Sequence, residues 1–144
     1  MTTSGHCLCR AVEFPFDDQP VATIHCHCES CRRATSSPVT TWLTVPRKGF
    51  RFNKGKPSTY ASSVGVRRGF CPTCGSPLFY ENDKMPDEID LYAASLSDPS
   101  TAMPTRHVFT REQLPWFEAH DDLPRYATTM RSGDPPVGYG PRRR

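Results

Sequence analysis

The sequence predicts a mainly β fold with short helical turns, and three observations lead to this prediction. Apolar residues recur mostly with a period of two, as in strands whose alternate side chains face a core. The chain has 15 prolines and 9 glycines among its 144 residues, which interrupt long helices. Helical signals are confined to the turn after His27 and to Thr110–Gln113, where Thr110 and Gln113 fit a capping box.

The clearest predicted strand is Val39–Val45, which is rich in β-branched residues and is followed by Pro46. Phe50–Phe52, Ser76–Tyr80 and Glu88–Ala94 are predicted as further short strands. Stretches rich in Gly, Pro, Asn and Lys separate them and are typical of turns. The segments together predict a sheet of short strands.

The length of the chain suits one domain followed by a short tail. After Tyr126 the sequence is rich in Gly, Ser, Asp and Pro and poor in apolar residues, which is typical of a flexible segment. We therefore predict a folded domain over 1–127 and a flexible C-terminal tail over 128–144. We find no apolar run of about 20 residues and no export signal, so we expect a cytoplasmic protein without a membrane partner.

The seven cysteines fall into three clusters, Cys7-Leu8-Cys9, Cys26-His27-Cys28-Glu29-Ser30-Cys31 and Cys71-Pro72-Thr73-Cys74. Their odd number and short spacings favour metal ligation, with disulfides as the alternative. A structural zinc site is closed by four protein ligands, whereas a catalytic zinc keeps three and leaves one position open. Two pairs and one triplet therefore predict one site of each type.

The two pairs predict a closed site made of Cys7, Cys9, Cys71 and Cys74. In the second pair, two intervening residues let both sulfurs face one ion, and Gly75 allows backbone conformations that bring amide donors toward the thiolates. Four thiolates leave no room for substrate, so this zinc would be structural. Rubredoxin-like iron is the alternative, because tetrahedral sulfur ligation suits either metal.

The triplet of Cys26, Cys28 and Cys31 predicts a second site with three thiol ligands. A tight loop running into a helical turn could aim all three sulfurs at one ion. An incoming thiol at the fourth position would be held as thiolate, which makes this a thiol-handling site. A closed site with three cysteines and one histidine is the alternative. Its candidate fourth ligands are His25, His27, His107 and His120.

These motifs resemble the glutathione-dependent formaldehyde-activating family, which also includes centromere-protein-V-like proteins. The order of the cysteine motifs and the segments around them match over about residues 5 to 126. The matching segments are Gly5–Val12, Cys26–Arg33, Arg68–Leu78, Ala94–Pro99, Pro104, His107-Val108, Pro115-Trp116 and Asp122–Pro124.

The resemblance implies a mainly β, Mss4-like architecture for the zinc domain. It implies a structural zinc on Cys7, Cys9, Cys71 and Cys74. It also implies a second, more labile and incompletely occupied zinc on Cys26, Cys28 and Cys31. For activity it implies a carbon–sulfur lyase reaction run backwards, in which glutathione captures formaldehyde as S-(hydroxymethyl)glutathione. The small-thiol partner would then be glutathione.

Arg32 and Arg33 follow the triplet and are candidates for binding glutathione carboxylates, although solvated arginines at a helix end are equally common. Exposed sheet edges are compatible with a homodimer. The alternative function is a non-catalytic zinc module, either a thiol carrier or a protein or nucleic-acid binder. Its basic residues are Arg47, Lys48, Arg51, Lys54, Lys56, Arg67 and Arg68. They are sparse and lack regular aromatic partners, so we do not expect nucleic-acid binding.

Overall fold

The computed structural model describes residues 2–140 and confirms the mainly β prediction. Within these residues the chain forms eleven strands and one α-helix, α1 (Glu29–Thr35). The strands are β1 (Thr3–His6), β2 (Glu13–Phe16), β3 (Ala22–Cys26), β4 (Thr40–Pro46), β5 (Ser58–Ser63), β6 (Val66–Phe70), β7 (Pro77–Asn82), β8 (Glu88–Tyr92), β9 (His107–Val108), β10 (Pro124–Arg125) and β11 (Gly138–Tyr139). Among residues 2–140 no helix is long and apolar enough to cross a membrane.

The chain divides into two compact units. The first comprises Met1–Ala22 and Trp42–Met103, and the second comprises Thr23–Thr41 and Pro104–Arg144. Each unit contains one of the two predicted cysteine sites. Each site is therefore formed by the elements of its own unit.

The first unit is built on antiparallel strands in the order β4-β8-β7-β6-β5, together with the β1–β2 pair. Its core lies on the alternating apolar positions of the central strands. Leu91 in β8 pairs with Leu43 in β4 and with Phe79 in β7, and Leu91 and Leu78 are fully buried. Gly69 in β6 is required by this packing, because a Cβ atom there would lie 2.0 Å from the Phe79 ring.

The predicted strand Phe50–Phe52 is wrong. Phe50 makes only an isolated bridge to Phe16, and the segment is otherwise irregular. The two aromatic rings pack edge-on against each other, with centroids 5.0 Å apart, and both contact Phe14. The two phenylalanines therefore pack against the core although their segment does not form a β-strand.

The second unit contains β3, β9, β10 and β11 in that order. Strands β3 and β9 run parallel, with His25 opposite His107 and Cys26 opposite Val108. The helical turn predicted after His27 is confirmed as α1. The predicted capping box is wrong, because Thr110 lies inside a short 3-10 turn and its hydroxyl donates to the Tyr126 carbonyl at 3.0 Å.

Part of the predicted C-terminal tail takes part in a strand pair. Strand β11 pairs with β10 across Arg125 and Gly138, and the Val137 amide donates to the Arg125 carbonyl at 2.7 Å. Residues 141–144 of the predicted tail lie outside the described residues. The proposed boundary at residue 127 and the mobility of the segment after it stay predictions.

Candidate metal centres

The four cysteines of the predicted closed site come together in the first unit. Cys7 and Cys9 lie in the turn between β1 and β2, and Cys71 and Cys74 in the turn between β6 and β7. Their sulfur atoms all lie within 4.8 Å of one another. The Cys7–Cys9 and Cys9–Cys71 sulfur distances are 3.7 and 3.8 Å.

These distances fit a tetrahedral metal site and do not fit disulfides. Ligands at the Zn–S distance of about 2.3 Å form a tetrahedron whose edge is about 3.8 Å, and a disulfide would need about 2.05 Å. All seven cysteines are free. The donor set of four sulfurs therefore suits zinc or iron in tetrahedral coordination.

Hydrogen-bond donors contact three of the four sulfurs, and they lower the pKa of Cys71 and Cys74, whereas burial and the neighbouring thiols raise the pKa of Cys9 to about 11. The Val12 amide donates to the Cys7 sulfur at 3.3 Å, and the Cys74 amide donates to the Cys71 sulfur at 3.5 Å. The Ser76 hydroxyl, 3.2 Å from the Cys74 sulfur, lowers the pKa of that thiol to about 5. Gly75 follows with a φ of +76°, a conformation that glycine adopts without strain.

The three cysteines of the predicted open site come together in the second unit. Cys26 ends β3, Cys28 is the N-cap of α1 and Cys31 lies in its first turn. The three sulfurs lie within 4.8 Å of one another. The Cys31 amide donates to the Cys28 sulfur at 3.3 Å. Cys26 and Cys31 are buried and Cys28 is half-buried, so the group has one solvent-facing side.

Crowding of the three thiols opposes the ionisation of Cys26 and Cys28. Hydrogen bonds with the thiols of Cys28 and Cys31, together with burial, raise the pKa of Cys26. The pKa of Cys28 is also raised, because the Cys31 thiol and burial outweigh the lowering effect of Cys26. A divalent cation among the sulfurs would offset this repulsion, since metals bind cysteine as thiolate.

In the part of the chain that the structure describes, no histidine nitrogen lies within 4.8 Å of all three sulfurs. The Nε2 atom of His27 lies instead 2.8 Å from Nδ1 of His107. Nδ1 of His25 lies 2.8 Å from the Thr41 hydroxyl. The geometry therefore favours a three-thiol group over a closed site that includes histidine.

The two arginines after the triplet make local contacts. Arg32 donates to the His27 carbonyl at 3.4 Å and to the Glu112 carbonyl at 3.3 Å. Arg33 forms an i,i+4 ion pair with Glu29 at 2.8 Å, and its side chain is 78% exposed. Both arginines therefore lie at the helix that carries Cys31, and substrate binding by either stays a prediction.

A buried hydrogen-bonded chain in the second unit was missed by the sequence analysis. His27 contacts His107, whose Nε2 atom lies 2.9 Å from Oδ2 of Asp121, and Arg125 lies 3.5 Å from Oδ1 of Asp121. His27, His107 and Arg125 are buried. The sequence contained these residues, but only the parallel register of β3 and β9 reveals that they meet.

Burial and neighbouring charges determine which atoms of this hydrogen-bonded chain of side chains carry protons. Burial lowers the pKa of His107 despite the raising effect of Asp121. For Asp121, burial opposes ionisation, but the hydrogen bonds from His107 and from the Leu123 amide lower its pKa overall. An ionised Asp121 accepts from Nε2–H of His107, so Nδ1 of His107 accepts from Nε2–H of His27.

We expect His107 to make the protein acid-sensitive. Unfolded histidine, with a pKa of about 6.5, binds a proton more readily than folded His107, so acidification below about 6.5 favours unfolding until the folded-state pKa is passed. Thermal unfolding between about pH 7.5 and 5.5 should show a steeper loss of stability for wild type than for His107→Gln. The exposed His120 provides the control, and His120→Gln should follow wild type. Equal slopes for wild type and His107→Gln would contradict this expectation.

Residues 2–112 match the family model of the glutathione-dependent formaldehyde-activating enzyme. An uncharacterized lyase of Schizosaccharomyces pombe is 34% identical over 84 residues, which cover 57% of this chain and 61% of that protein. The chain therefore spans less than two thirds of this relative.

A crystal structure of a Rhodobacter sphaeroides protein has the same fold, with a TM-score of 0.57 and 24% sequence identity. The match covers 68% of this chain and 93% of that one. The family model covers both cysteine sites, from Cys7 to Cys74, and extends past His107. The chain therefore belongs to the glutathione-dependent formaldehyde-activating enzyme family.

Proposed function

We propose that this protein is a zinc-dependent lyase of the carbon–sulfur type, which joins a small thiol such as glutathione to formaldehyde. The observation that carries the proposal is the group of three converging sulfurs, Cys26, Cys28 and Cys31, which no His, Cys, Asp or Glu among the described residues joins as a fourth ligand. A three-ligand set is typical of catalytic zinc, whereas the four-sulfur group of the first unit is typical of structural zinc. The family and the lyase name of the yeast relative support this assignment.

Zinc bound to the triplet would supply a cationic centre that lowers the pKa of an added thiol. Cys28, the least buried of the three ligands, marks the side from which the thiol would approach. In the overall reaction the thiol loses its proton, its sulfur bonds to the carbonyl carbon of formaldehyde, and the carbonyl oxygen gains a proton. The product is S-(hydroxymethyl)glutathione, and the reverse direction is the lyase reaction.

Arg33 is the better of the two candidates for binding a glutathione carboxylate. The donor groups of Arg32 already contact the carbonyls of His27 and Glu112. The Arg33 pair with Glu29 is exposed, and water and salt screen such pairs, so they contribute little to stability. A substrate carboxylate could therefore replace Glu29 at little cost.

The alternative of a nucleic-acid-binding module gains no support from the basic residues of the first unit. Several of them are neutralised by carboxylates instead of forming a free cationic face. The pairs are Arg47 with Glu81, Arg67 with Glu81 at 2.7 Å, Arg67 with Asp83 at 2.8 Å, Arg51 with Asp17 at 3.0 Å and Lys54 with Glu13 at 3.4 Å.

Native mass spectrometry with and without millimolar glutathione tests the proposal. We expect wild type to carry an ion at each cysteine site, and glutathione to add its mass to the protein or remove one ion. Cys28→Ser should lose one ion and the glutathione response, because it removes a ligand of the triplet alone. Ser30→Ala, an exposed position in the same loop, should behave as wild type.

The rate of S-(hydroxymethyl)glutathione formation provides the second readout, measured against the uncatalysed reaction. A rate above background in wild type and Ser30→Ala, but not in Cys28→Ser, is expected. Glutathione binding without any rate above background would identify a thiol carrier. Two ions that are indifferent to glutathione would identify a closed structural pair and remove the basis of the enzyme proposal.

A further inference from the structure

The second unit holds a further group of metal-ligand type that does not belong to the cysteine triplet. His25, His107 and Asp121 each offer one ligand atom, and these atoms lie within 4.8 Å of one another. His25 and His107 are opposite each other in the parallel strands β3 and β9, and their rings stack with centroids 4.8 Å apart. The backbone register therefore brings the two imidazoles to the same place.

Nδ1 of each of these two imidazole rings already has a hydrogen-bond partner. Nδ1 of His25 lies 2.8 Å from the hydroxyl of Thr41, and Nδ1 of His107 lies 2.8 Å from His27. Metal-binding histidines characteristically use one nitrogen for the ion and the other for such an orienting hydrogen bond. Because both Nδ1 atoms are engaged in this way, Nε2 is the nitrogen with which each ring would bind an ion, and in His107 this atom already faces Asp121.

We propose that His25, His107 and Asp121 form a third metal site, for a divalent transition-metal ion. Two imidazoles and one carboxylate form a ligand set typical of zinc and of non-haem iron, and this set leaves coordination positions open to water or a small ligand. The ion would differ in chemistry from those at the two cysteine groups, because the site supplies nitrogen and oxygen in place of sulfur.

The proposed ion replaces the proton between His107 and Asp121. In the hydrogen-bonded chain, Nε2–H of His107 donates to Oδ2 of Asp121 at 2.9 Å. On metal binding, His107 keeps one proton but carries it at Nδ1, where it donates to Nε2 of His27. His27 then carries its own proton at Nδ1, so the tautomers of both rings change without release of a proton.

Arg125 sets the strength and the geometry of this site. Its guanidinium lies 3.5 Å from Oδ1 of Asp121, which leaves Oδ2 for the ion. Its positive charge also repels a cation nearby. We therefore expect weaker binding at this site than at the cysteine groups, so the third ion should be the last to bind and the first to be lost to a chelator.

Zinc titration followed by native mass spectrometry tests the site. Wild type should reach three ions at saturation, whereas His25→Ala and Asp121→Asn should stop at two. His120→Ala is the matched control, since His120 is exposed and outside the group, and it should reach three. The two ions kept by each variant show that it is folded, and His25→Gln serves as a milder substitution.

Cobalt provides an independent readout, because thiolate-bound cobalt has an intense charge-transfer absorption that nitrogen and oxygen ligands lack. The third equivalent of cobalt should bind to wild type without increasing that band. Saturation of wild type at two ions, or a third ion that persists in His25→Ala or in Asp121→Asn, would overturn the proposal. The hydrogen-bonded chain would then be only an orienting contact for His27. Because Cys28→Ser removes a different ion, failure of this site is distinguishable from failure of the proposed function.

Discussion

We expect the four-cysteine site to bind a structural metal, whose removal unfolds the protein. Cys9 and Cys71, whose sulfurs are 3.8 Å apart, are separated by 62 positions in the chain, and Cys7 and Cys71 are part of the buried core. A structural zinc in a small domain contributes an apparent binding free energy of about 10–16 kcal/mol. That is as large as the whole stability of a typical domain, about 5–15 kcal/mol. Cys71→Ser should therefore abolish cooperative folding.

Thermal unfolding followed by circular dichroism measures this effect, with and without a strong zinc chelator. Cys28→Ser is the matched comparison, because it removes one cysteine from the other group and should leave a cooperative transition. Wild type should lose its transition in the chelator and regain it when zinc is added back. An unchanged transition for Cys71→Ser would contradict a structural role for the four-sulfur site.

Truncation of Leu91 is expected to produce the largest loss of stability outside the cysteine sites. Leu91 is fully buried in β8, between Leu43 and Phe79 of the flanking strands. Leu91→Ala removes apolar contacts and leaves a cavity that a sheet held on both sides cannot close, at a cost of about 2–5 kcal/mol. Chemical denaturation should show a lower midpoint with an unchanged slope.

Val64 provides the control for this substitution. It lies in the turn between β5 and β6 and is fully exposed, so Val64→Ala should change the free energy of unfolding by less than about 0.5 kcal/mol. A loss of similar size in both variants would mean that the effect at position 91 does not come from core packing.

The cysteine groups could be predicted from sequence because their information is local. Cys26, Cys28 and Cys31 lie within six residues, so a single turn brings them together. The pairing of Cys7 and Cys9 with Cys71 and Cys74 followed from counting ligands, and no knowledge of the sheet was needed. Strand β4 could also be predicted, because its β-branched residues combine with a continuous buried face.

Other elements could not be predicted because tertiary contacts decide them. Strand β5, Ser58–Ser63, is polar and almost entirely exposed, so it carries no alternating pattern and is a strand only because it pairs with β6. Phe50–Phe52 shows the reverse case, an alternating pattern whose rings enter the core from an irregular segment. Pattern alone does not distinguish these cases.

The histidine chain is the part of the candidate site that sequence could least reveal. His27 and His107 are 80 positions apart, and a parallel pairing of two short strands sets their contact. Strand β9 has only two residues, which is too short to give a periodic signal. A hydrogen-bonded contact of this kind depends on register, which composition and spacing do not encode.

The stability of helix α1 depends on the cysteine triplet, because two of the three cysteines lie at its N-terminus. The helix has seven residues, too few to persist alone in water, and its N-cap is the sulfur of Cys28. The sulfur accepts from the Cys31 amide at 3.3 Å, and the first backbone bond of the helix runs from the Arg32 amide to the Cys28 carbonyl at 3.1 Å. We therefore expect an ion bound by the three sulfurs to stabilise this helix, so that amide hydrogen exchange within Glu29–Thr35 slows when the triplet is occupied.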